Sequence, residues 1–280
     1  KIFAVVIIVS AIVGVVISLP VFMPPKFKST AVVYPTNIKP YSDESETEQL
    51  LQYFEAGSVR DSIIKKFDLY RRYDIDPTAK SARYYLLQEY NDNFVTSKTA
   101  YESILLEVSD EDPVLAEAMT EEVLRQVNLK YNEVVNSRAL RKADSYEKQM
   151  RYQAGVLDSL ENLITDISTK NRVLEYGSQT RELVRGYVEA LSTNRSADLD
   201  TIEKWLGETQ EKGSVLRMLQ NLSYMGTMQY HEMNREFMTY REQAYSDLNY
   251  MDVVVEPEVS DKKYWPVRWL IVALCVVAGT

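Results

Sequence analysis

Apolar residues are concentrated at the two ends of the chain. The run Ile2–Leu19 reads IFAVVIIVSAIVGVVISL, 18 residues in which Ser10 and Ser18 are the polar side chains. A helix of that length covers about 27 Å, close to the ~30 Å hydrocarbon core of a bilayer. Because the run continues into PVFMPPKFK without a small-residue cleavage site, it indicates an anchor rather than a cleaved signal peptide. We therefore predict a first transmembrane helix over residues 1–20.

The second apolar run begins at Trp269 and is cut short by the end of the sequence. Its 12 residues are too few to span a bilayer. The sequence also opens without Met, at Lys1, so we expect both ends to be clipped. Residues 269–280 are accordingly predicted to be the start of a second transmembrane helix.

Two short patterns suggest how these helices would be held in a membrane. Ser10, Gly14 and Ser18 are spaced four apart and share one helix face, the spacing that lets transmembrane helices approach closely. Ordinary composition is the alternative interpretation of that spacing. Aromatic residues and a proline precede the second run where it would enter the lipid headgroups, as expected of membrane-interface anchors. These anchors are Tyr264, Trp265, Pro266 and Trp269.

Strand patterns occur between the apolar runs. Residues 29–34, 104–108 and 251–256 are rich in β-branched, aromatic or alternating apolar side chains. With the helices between them, they predict a small mixed-sheet α/β base. Residues 21–112 form its first part, and residues 251–268 form a returning strand with a proline-containing linker.

Helix start signals follow the first predicted strand. Ser45 and Glu48 form a capping box, which starts a helix near residue 46. A second helix carries the apolar residues that begin with Val59. Asp76 and Pro77 are the N-cap and first-turn proline expected of a third helix.

A long helical arm is predicted over residues 113–250. Asp112 can cap a helix that Pro113 opens, with Ala116 on its first turn, and residues 114–256 contain no proline. A heptad repeat then predicts a seam that packs on another helix. Its positions are Ala143, Tyr146, Met150, Gln153, Leu157, Leu160, Ile164, Ile167, Asn171 and Leu174, of which Met150, Leu157, Leu160, Ile164 and Ile167 are the apolar core of the seam.

The helix from residue 113 to about 174 would be ~90 Å long. Four glycines beyond it are expected to mark the turns where the chain reverses, and a return helix is predicted from Ser214. These glycines are Gly177, Gly186, Gly207 and Gly213. The fold class is therefore α+β, mostly helical, with a coiled-coil-like hairpin.

The net charge and the cysteine content argue against nucleic acid as a partner and against disulfide or thiolate metal sites. The net charge of −9 argues against nucleic acid, which repels a protein of the same sign. The single cysteine, Cys275, lies in the second apolar run and allows no disulfide framework or thiolate metal site within one chain.

Catalytic patterns are weak. His231 is the only histidine, and residue 235 is Arg where a zinc protease helix needs a second histidine. Residues 207–214 read GETQEKGS, which scrambles the order of a phosphate loop and is interpreted as a turn. Asp110, Glu111 and Asp112 could be metal ligands or an acid/base pair, but acids at a helix start are better explained by the free N–H groups there. We expect no catalytic residue, metal or cofactor.

The order of these parts resembles the polysaccharide co-polymerases, or chain-length determinant proteins, of O-antigen and capsule assembly. The resemblance covers the whole chain. It lies in KFKSTAVVYP, SVRDSIIKKFDLYRRYDID, ILLEVSDEDPVLAEAMTEEVLRQVNLKY with its Asp112, Pro113 and Ala116, and VEPEVSDKKYWPVRWLIV. Near the second span this chain has fewer prolines than the family pattern, only Pro257 and Pro266.

The resemblance implies a two-span protein of the bacterial inner (cytoplasmic) membrane with its central domain in the periplasm. It also implies a homo-oligomeric ring that acts with the membrane polysaccharide polymerase to set the modal length of the glycan. The lipid bilayer and the growing glycan are further expected partners, and a cytoplasmic kinase domain occurs in some capsule relatives.

Two rival interpretations stay open. A two-span sensor or chemoreceptor also carries a helical domain between its spans, although such receptors run from the spans directly into bundle helices. A membrane-fusion adaptor of an efflux pump has a long helical hairpin, but with one anchor and glycine-rich β domains, whereas this chain has nine glycines in 280 residues.

Overall fold

The structure is a computed structural model that describes residues 2–20, 22–171, 176–193 and 196–279. It contains two compact units. The first comprises Lys1–Val134 and Asp247–Thr280, and the second comprises Val135–Ser246. The fold is mostly helical, with one small sheet in the first unit.

The sheet has four antiparallel strands. They are β1 (Phe27–Pro35), β2 (Phe94–Lys98), β3 (Ile104–Asp110) and β4 (Met251–Val255), in the spatial order β2-β3-β1-β4. The three predicted strands are confirmed as β1, β3 and β4. The predicted mixed sheet is wrong, because β1 pairs antiparallel with both β3 and β4 and β2 pairs antiparallel with β3. Strand β2 was not predicted, because its residues FVTSK mix apolar and polar side chains without clear alternation.

One face of the sheet is buried. Ala31 and Val33 of β1 lie opposite Leu106 and Ile104 of β3, and all four side chains are almost inaccessible to solvent. Side chains alternate along a strand, so the residues between them point to the other face, which is half-exposed in β1. The pairing register therefore sets which apolar residues enter the core.

Short helices surround the sheet in the first unit. They are α2 (Glu46–Phe54), α3 (Gly57–Lys66), α4 (Leu69–Arg72) and α5 (Ala82–Asn93). The capping box at the start of α2 is confirmed, since the Glu48 N–H donates to Ser45 Oγ and the Ser45 N–H donates to Glu48 Oε2.

The third predicted helix starts later than expected. Asp76 Oδ1 accepts the Thr78 N–H at 2.9 Å, which closes a turn rather than capping a helix. Helix α5 begins only at Ala82, after Ser81 in a left-handed conformation with φ of 68°. The Asp-Pro pair at 76 and 77 was therefore wrongly interpreted as a helix start.

Three helices follow β3. They are α6 (Pro113–Asn171), α7 (Tyr176–Ser192) and α8 (Ser196–Ala244). The start of α6 at Pro113 is confirmed, and Leu174 of the predicted seam lies outside the described residues. In the second unit α6 and α8 contact each other: the Tyr146 and Tyr240 rings stack with centroids 5.8 Å apart.

The four glycines expected at turns lie inside helices. Gly177 and Gly186 belong to α7, and Gly207 and Gly213 belong to α8. The predicted return helix from Ser214 is thus part of a longer helix, and the predicted turn at 207–214 is wrong. At Gly213 the physical reason is packing, because the Tyr176 ring lies where a Cβ would be.

The terminal helices are α1 (Ile2–Ile17) and α9 (Arg268–Gly279), with 16 and 12 residues. Helix α1 is shorter than the apolar run because residues 18–20 form a turn and bend. Within the described ranges, none of the helices combines the length and apolarity that a membrane crossing requires.

Candidate functional site

The small-residue face of α1 lies against α9. Gly14 and Ser18 are buried and Ser10 is half-buried, while the neighbouring Val13 and Val15 are exposed. A Cβ built on Gly14 would be 3.0 Å from the Val272 Cα and 3.2 Å from the Cys275 Cβ. The two helix backbones therefore approach closely at Gly14, and any larger side chain there would force them apart.

The segments next to the terminal helices are joined as well. Lys26 and Trp265 form an isolated antiparallel bridge, in which the Lys26 N–H donates to the Trp265 carbonyl at 2.9 Å and the Tyr264 N–H donates to the Lys26 carbonyl at 2.8 Å. The Lys28 ammonium lies 3.9 Å from the centroid of the Tyr264 ring, a cation–π contact. The segment after α1 and the segment before α9 are therefore joined at one place in the first unit.

The predicted interface residues differ in exposure. The side chains of Tyr264, Trp265 and Trp269 are exposed, Trp269 to 72%, whereas Pro266 is buried. Exposed tryptophan at the start of an apolar helix is the arrangement found at membrane interfaces. Their role as anchors stays a prediction.

The start of α6 is held by hydrogen bonds of Asp110 and Asp112, which precede it, and of Arg72. Asp112 Oδ1 accepts the Val114 N–H at 2.9 Å, and Ala116 on the first turn is buried. Asp110 accepts the Asp112 N–H and pairs with Arg72, whose Nε lies 2.6 Å from Asp110 Oδ2. This hydrogen bond raises the pKa of the Arg72 guanidinium. The contact of Arg72 with Asp110 was not predicted, because 38 positions separate the two residues.

A buried glutamate joins α6 to α3. The Glu122 side chain is only 3% exposed and accepts hydrogen bonds from Lys66 Nζ, the Arg125 guanidinium and Gln126 Nε2. The hydrogen bond from Arg125, with those from Gln126 and Lys66, outweighs the effect of burial and lowers the pKa of Glu122 to about 2. All three partners hold the Glu122 carboxylate in its charged form, and the bond from Lys66 ties α3 to α6.

Asparagines on α6 bind the extended backbone that leads into β4. Asn132 Nδ2 donates to the Leu248 carbonyl at 2.8 Å, and the Leu248 N–H donates to Asn132 Oδ1 at 3.2 Å. One turn earlier, Asn128 Oδ1 accepts the Tyr250 N–H at 2.9 Å. These bonds satisfy backbone groups of a segment that belongs to neither helix nor sheet. These bonds were not predicted, because 116 or 122 positions separate the partners.

The predicted seam residues lie on one side of α6. Met150, Leu157, Leu160, Ile164 and Ile167 are all half-buried. Leu157 packs where Gly226 of α8 leaves room, since a Cβ on Gly226 would be 2.9 Å from Leu157 Cδ2. The Gln153 amide donates to the Gly226 carbonyl at 3.3 Å beside it. Gly226 is thus a contact point that periodicity alone did not reveal.

The chemistry considered from the sequence finds little support in the geometry. His231 is exposed on α8, and residues 207–214 are helical with no strand before them. Over the described ranges, no three histidine, cysteine, aspartate or glutamate side chains are grouped so that they could hold a metal ion.

Similarity to known proteins is found among solved structures. The sequence matches no protein-family profile and no curated protein. Among solved structures, a full-length bacterial polysaccharide co-polymerase is 11% identical over 98% of this chain and 89% of its own, with a TM-score of 0.42. The wild-type lipopolysaccharide O-antigen chain-length regulator WzzBSF of Shigella flexneri is 10% identical over 84% of this chain and 99% of its own, also at 0.42.

A fragment of the polysaccharide co-polymerase WzzB from Salmonella Typhimurium is similar as well. It is 13% identical over 86% of this chain and 100% of its own, with a TM-score of 0.33. The three structures are described as polysaccharide co-polymerases or as an O-antigen chain-length regulator.

Proposed function

We propose that this chain is a non-enzymatic regulator of polysaccharide chain length. It sets the modal length of an O-antigen or related surface glycan. It acts as a homo-oligomeric ring together with the membrane polymerase that extends the glycan, and it needs no cofactor, metal or nucleic acid.

The observation that carries the proposal is the meeting of the two chain ends. Helices α1 and α9 pack at Gly14, and the Lys26–Trp265 bridge joins the segments that follow and precede them. Strand β1 begins directly after this bridge, at Phe27. A two-span sensor would lead from its spans into bundle helices, so the strand next to α1 favours the co-polymerase interpretation.

The terminal helices supply the membrane attachment in this proposal. Helices α1 and α9 are apolar, and exposed Trp269 and Tyr264 suit the headgroup region. The proposal therefore includes a two-span attachment to the bacterial inner (cytoplasmic) membrane, with the residues between the terminal helices in the periplasm.

An exposed apolar stripe on α8 supports oligomer formation. Met218, Leu222 and Met225 are spaced four and three apart and are 46–61% exposed, whereas Leu216 and Leu219 are buried. Side chains at these spacings share one helix face. A row of exposed methionine and leucine suits contact with a neighbouring copy, because burial of that area is favourable.

The experiment is a comparison of surface polysaccharide with and without the gene. Polysaccharide is resolved on a gel from the wild-type strain, a deletion strain and the deletion strain carrying the restored gene. The proposal predicts that the deletion abolishes the preferred chain length while polymer is still made, and that the restored gene brings the preferred length back.

The control separates length regulation from polymer synthesis. Total polysaccharide is measured in each strain, because loss of polymer altogether would indicate a role in synthesis. An unchanged ladder in a strain without a redundant paralogue would contradict the proposal and favour the sensor alternative.

A further inference from the structure

A polar cleft lies in the first unit, between the short helices and one end of the sheet. It has a volume of about 590 Å³, within the ~300–1,000 Å³ range of small-molecule sites. Its lining includes Arg71 and Tyr73, from α4 and the residues after it, and Glu89 and Asn93 of α5. None of these four residues was singled out from the sequence.

The cleft offers both donors and acceptors. Asn93 is buried, and its Oδ1 accepts from Lys26 Nζ at 2.8 Å while its Nδ2 donates to the Glu89 carbonyl. Arg71 and Glu89 are exposed, and both line the cleft. A ligand hydroxyl can therefore accept a hydrogen bond from the Arg71 guanidinium and donate one to the Glu89 carboxylate.

Aromatic surface accompanies these polar groups. Phe67 and Tyr73 line the cleft, and Phe67 is half-buried. The buried Tyr73 hydroxyl has no hydrogen bond of good geometry among the described residues, although Asn93 lies beside it. Burial raises the pKa of the Tyr73 phenol more than Asn93 lowers it, so the hydroxyl stays protonated and is a donor.

The charge of the lining disfavours anions. Among the described residues that line the cleft, three cations face five carboxylates, and one pair of these is the ion pair of Arg72 with Asp110. A phosphate would meet a net excess of negative charge. A divalent cation would need a group of acidic ligands, which the described residues do not form.

We infer that this cleft binds a neutral carbohydrate segment, with its hydroxyls bonded by Arg71 and Glu89 and a sugar face against Phe67. A pyranose ring has hydroxyls that both donate and accept and an apolar face of C–H groups, which is the combination the cleft presents. The inference rests on the proposed function for the source of that carbohydrate, the surface glycan itself.

The test measures binding to the whole chain in lipid nanodiscs. The probe is an oligosaccharide of one to three repeats, released from the surface polysaccharide of the source strain and freed of phosphate. Calorimetry gives the dissociation constant, and saturation-transfer NMR identifies the sugar protons that touch protein. We expect binding by the wild-type chain and a dissociation constant raised at least about tenfold in the double variant Arg71→Gln/Glu89→Gln.

A matched control uses the same kinds of change outside the cleft. Lys65→Gln/Asp92→Asn removes one cation and one carboxylate from exposed positions of α3 and α5 that do not line it, and should bind as the wild type does.

The outcomes separate this inference from the proposed function. Equal affinity of the wild-type chain and the double variant overturns the cleft as the site, even where the gene controls the polysaccharide ladder. Absence of oligosaccharide binding also overturns it, as does binding of pyrophosphate or of anionic vesicles at the cleft instead of sugar. An unchanged ladder on gene deletion contradicts the proposed function alone, because the binding measurement does not depend on it.

Discussion

Gly14 of α1 and Val272 of α9 are in backbone contact. A Cβ at Gly14 would stand 3.0 Å from the Val272 Cα, closer than almost any side chain tolerates. The same position faces the side chain of Cys275, the only cysteine of the chain. This contact holds α1 and α9 side by side, and a cysteine substitution at position 14 makes it measurable.

Gly14→Cys is predicted to form a disulfide with Cys275. The two Cβ atoms would be 3.2 Å apart, a few tenths of an ångström below the usual ~3.5–4.5 Å for a disulfide, so a small separation of the helices suffices. Mild oxidation of the protein in membranes should give a monomer of altered mobility on a non-reducing gel, and a reductant should reverse the change.

Val13→Cys is the control for this cross-link. Val13 is the neighbouring residue on the exposed face of α1, so its side chain points away from Cys275. Equal cross-linking of both variants, or cross-links only between chains, would contradict the α1–α9 contact.

Substitution by alanine should change the stability of the protein in opposite directions at two glycines of α8. A Cβ at Gly207 has nothing within 4 Å, so Gly207→Ala should stabilise by about 0.5–1 kcal/mol through helix propensity. A Cβ at Gly213 would overlap the Tyr176 ring, so Gly213→Ala should destabilise by about 1–3 kcal/mol. Chemical denaturation followed by helical circular dichroism measures both changes.

A double variant tests the cause at Gly213. In a Tyr176→Ala background the ring is absent, so Gly213→Ala should lose most of its penalty. A penalty that persists there, or equal effects of alanine at positions 207 and 213, would show that the Tyr176 contact is not the reason for the glycine.

Asn132→Leu should destabilise the first unit by about 2 kcal/mol. Leucine is similar in size but leaves the N–H and C=O of Leu248 without their partner. Hydrogen exchange should show faster exchange of the Leu248 amide. Asn162→Leu, at an exposed position of the same helix, is the control, and equal stability losses in the two variants would contradict the assigned role.

Glu122 should make the free energy of unfolding depend on pH in the acidic range. Because its pKa is lowered to about 2 in the folded protein, its contribution is present above the ordinary carboxyl pKa of about 4.3 and is lost as the pH falls towards 2. Glu122→Gln should cost on the order of 1–3 kcal/mol at pH 7, reduced by the solvent exposure of Lys66 and Arg125.

The pH series distinguishes this site from a surface acid. Thermal unfolding of the wild type and Glu122→Gln should converge between pH 5 and about pH 2, since the wild-type carboxylate then becomes protonated. Glu133→Gln, at a carboxylate that is 68% exposed, should cost little at any pH. A Glu122→Gln penalty independent of pH would contradict the charged, paired state.

Helix length is predicted to affect glycan length. Removal of two heptads, residues 154–167 of α6 with residues 212–225 of α8, shortens both helices by about 21 Å. If the proposed function is right and the length of the helices sets how long polymer and polymerase stay engaged, the modal glycan should become shorter. An unchanged modal length from a chain that still assembles would show that helix length is not the ruler.

The sequence predicted what depends on near neighbours. Ser45 and Glu48 are three positions apart, and they form the predicted capping box. Alternation in ILLEV predicted β3, and Asp112 with Pro113 predicted the start of α6. In each case the physical cause lies within one turn or one strand.

Features that depend on distant partners were missed. Glycines usually favour turns, but Gly213 lies inside α8, where the Tyr176 ring fills the space that a side chain would occupy. Strand β2 is specified by pairing with β3 more than by its own residues. The cleft depends on Arg71 and Glu89 from separate helices, and no local pattern brings these together.

The most direct test of the account is the modal repeat number of the surface polysaccharide. Densitometry of a gel gives this number for the deletion strain carrying either an empty vector or the wild-type chain at native expression. The account predicts a broad distribution without a peak for the vector and a restored peak for the wild-type chain. The same distribution in both strains, with equal amounts of polymer, would contradict the claim that this chain sets glycan length.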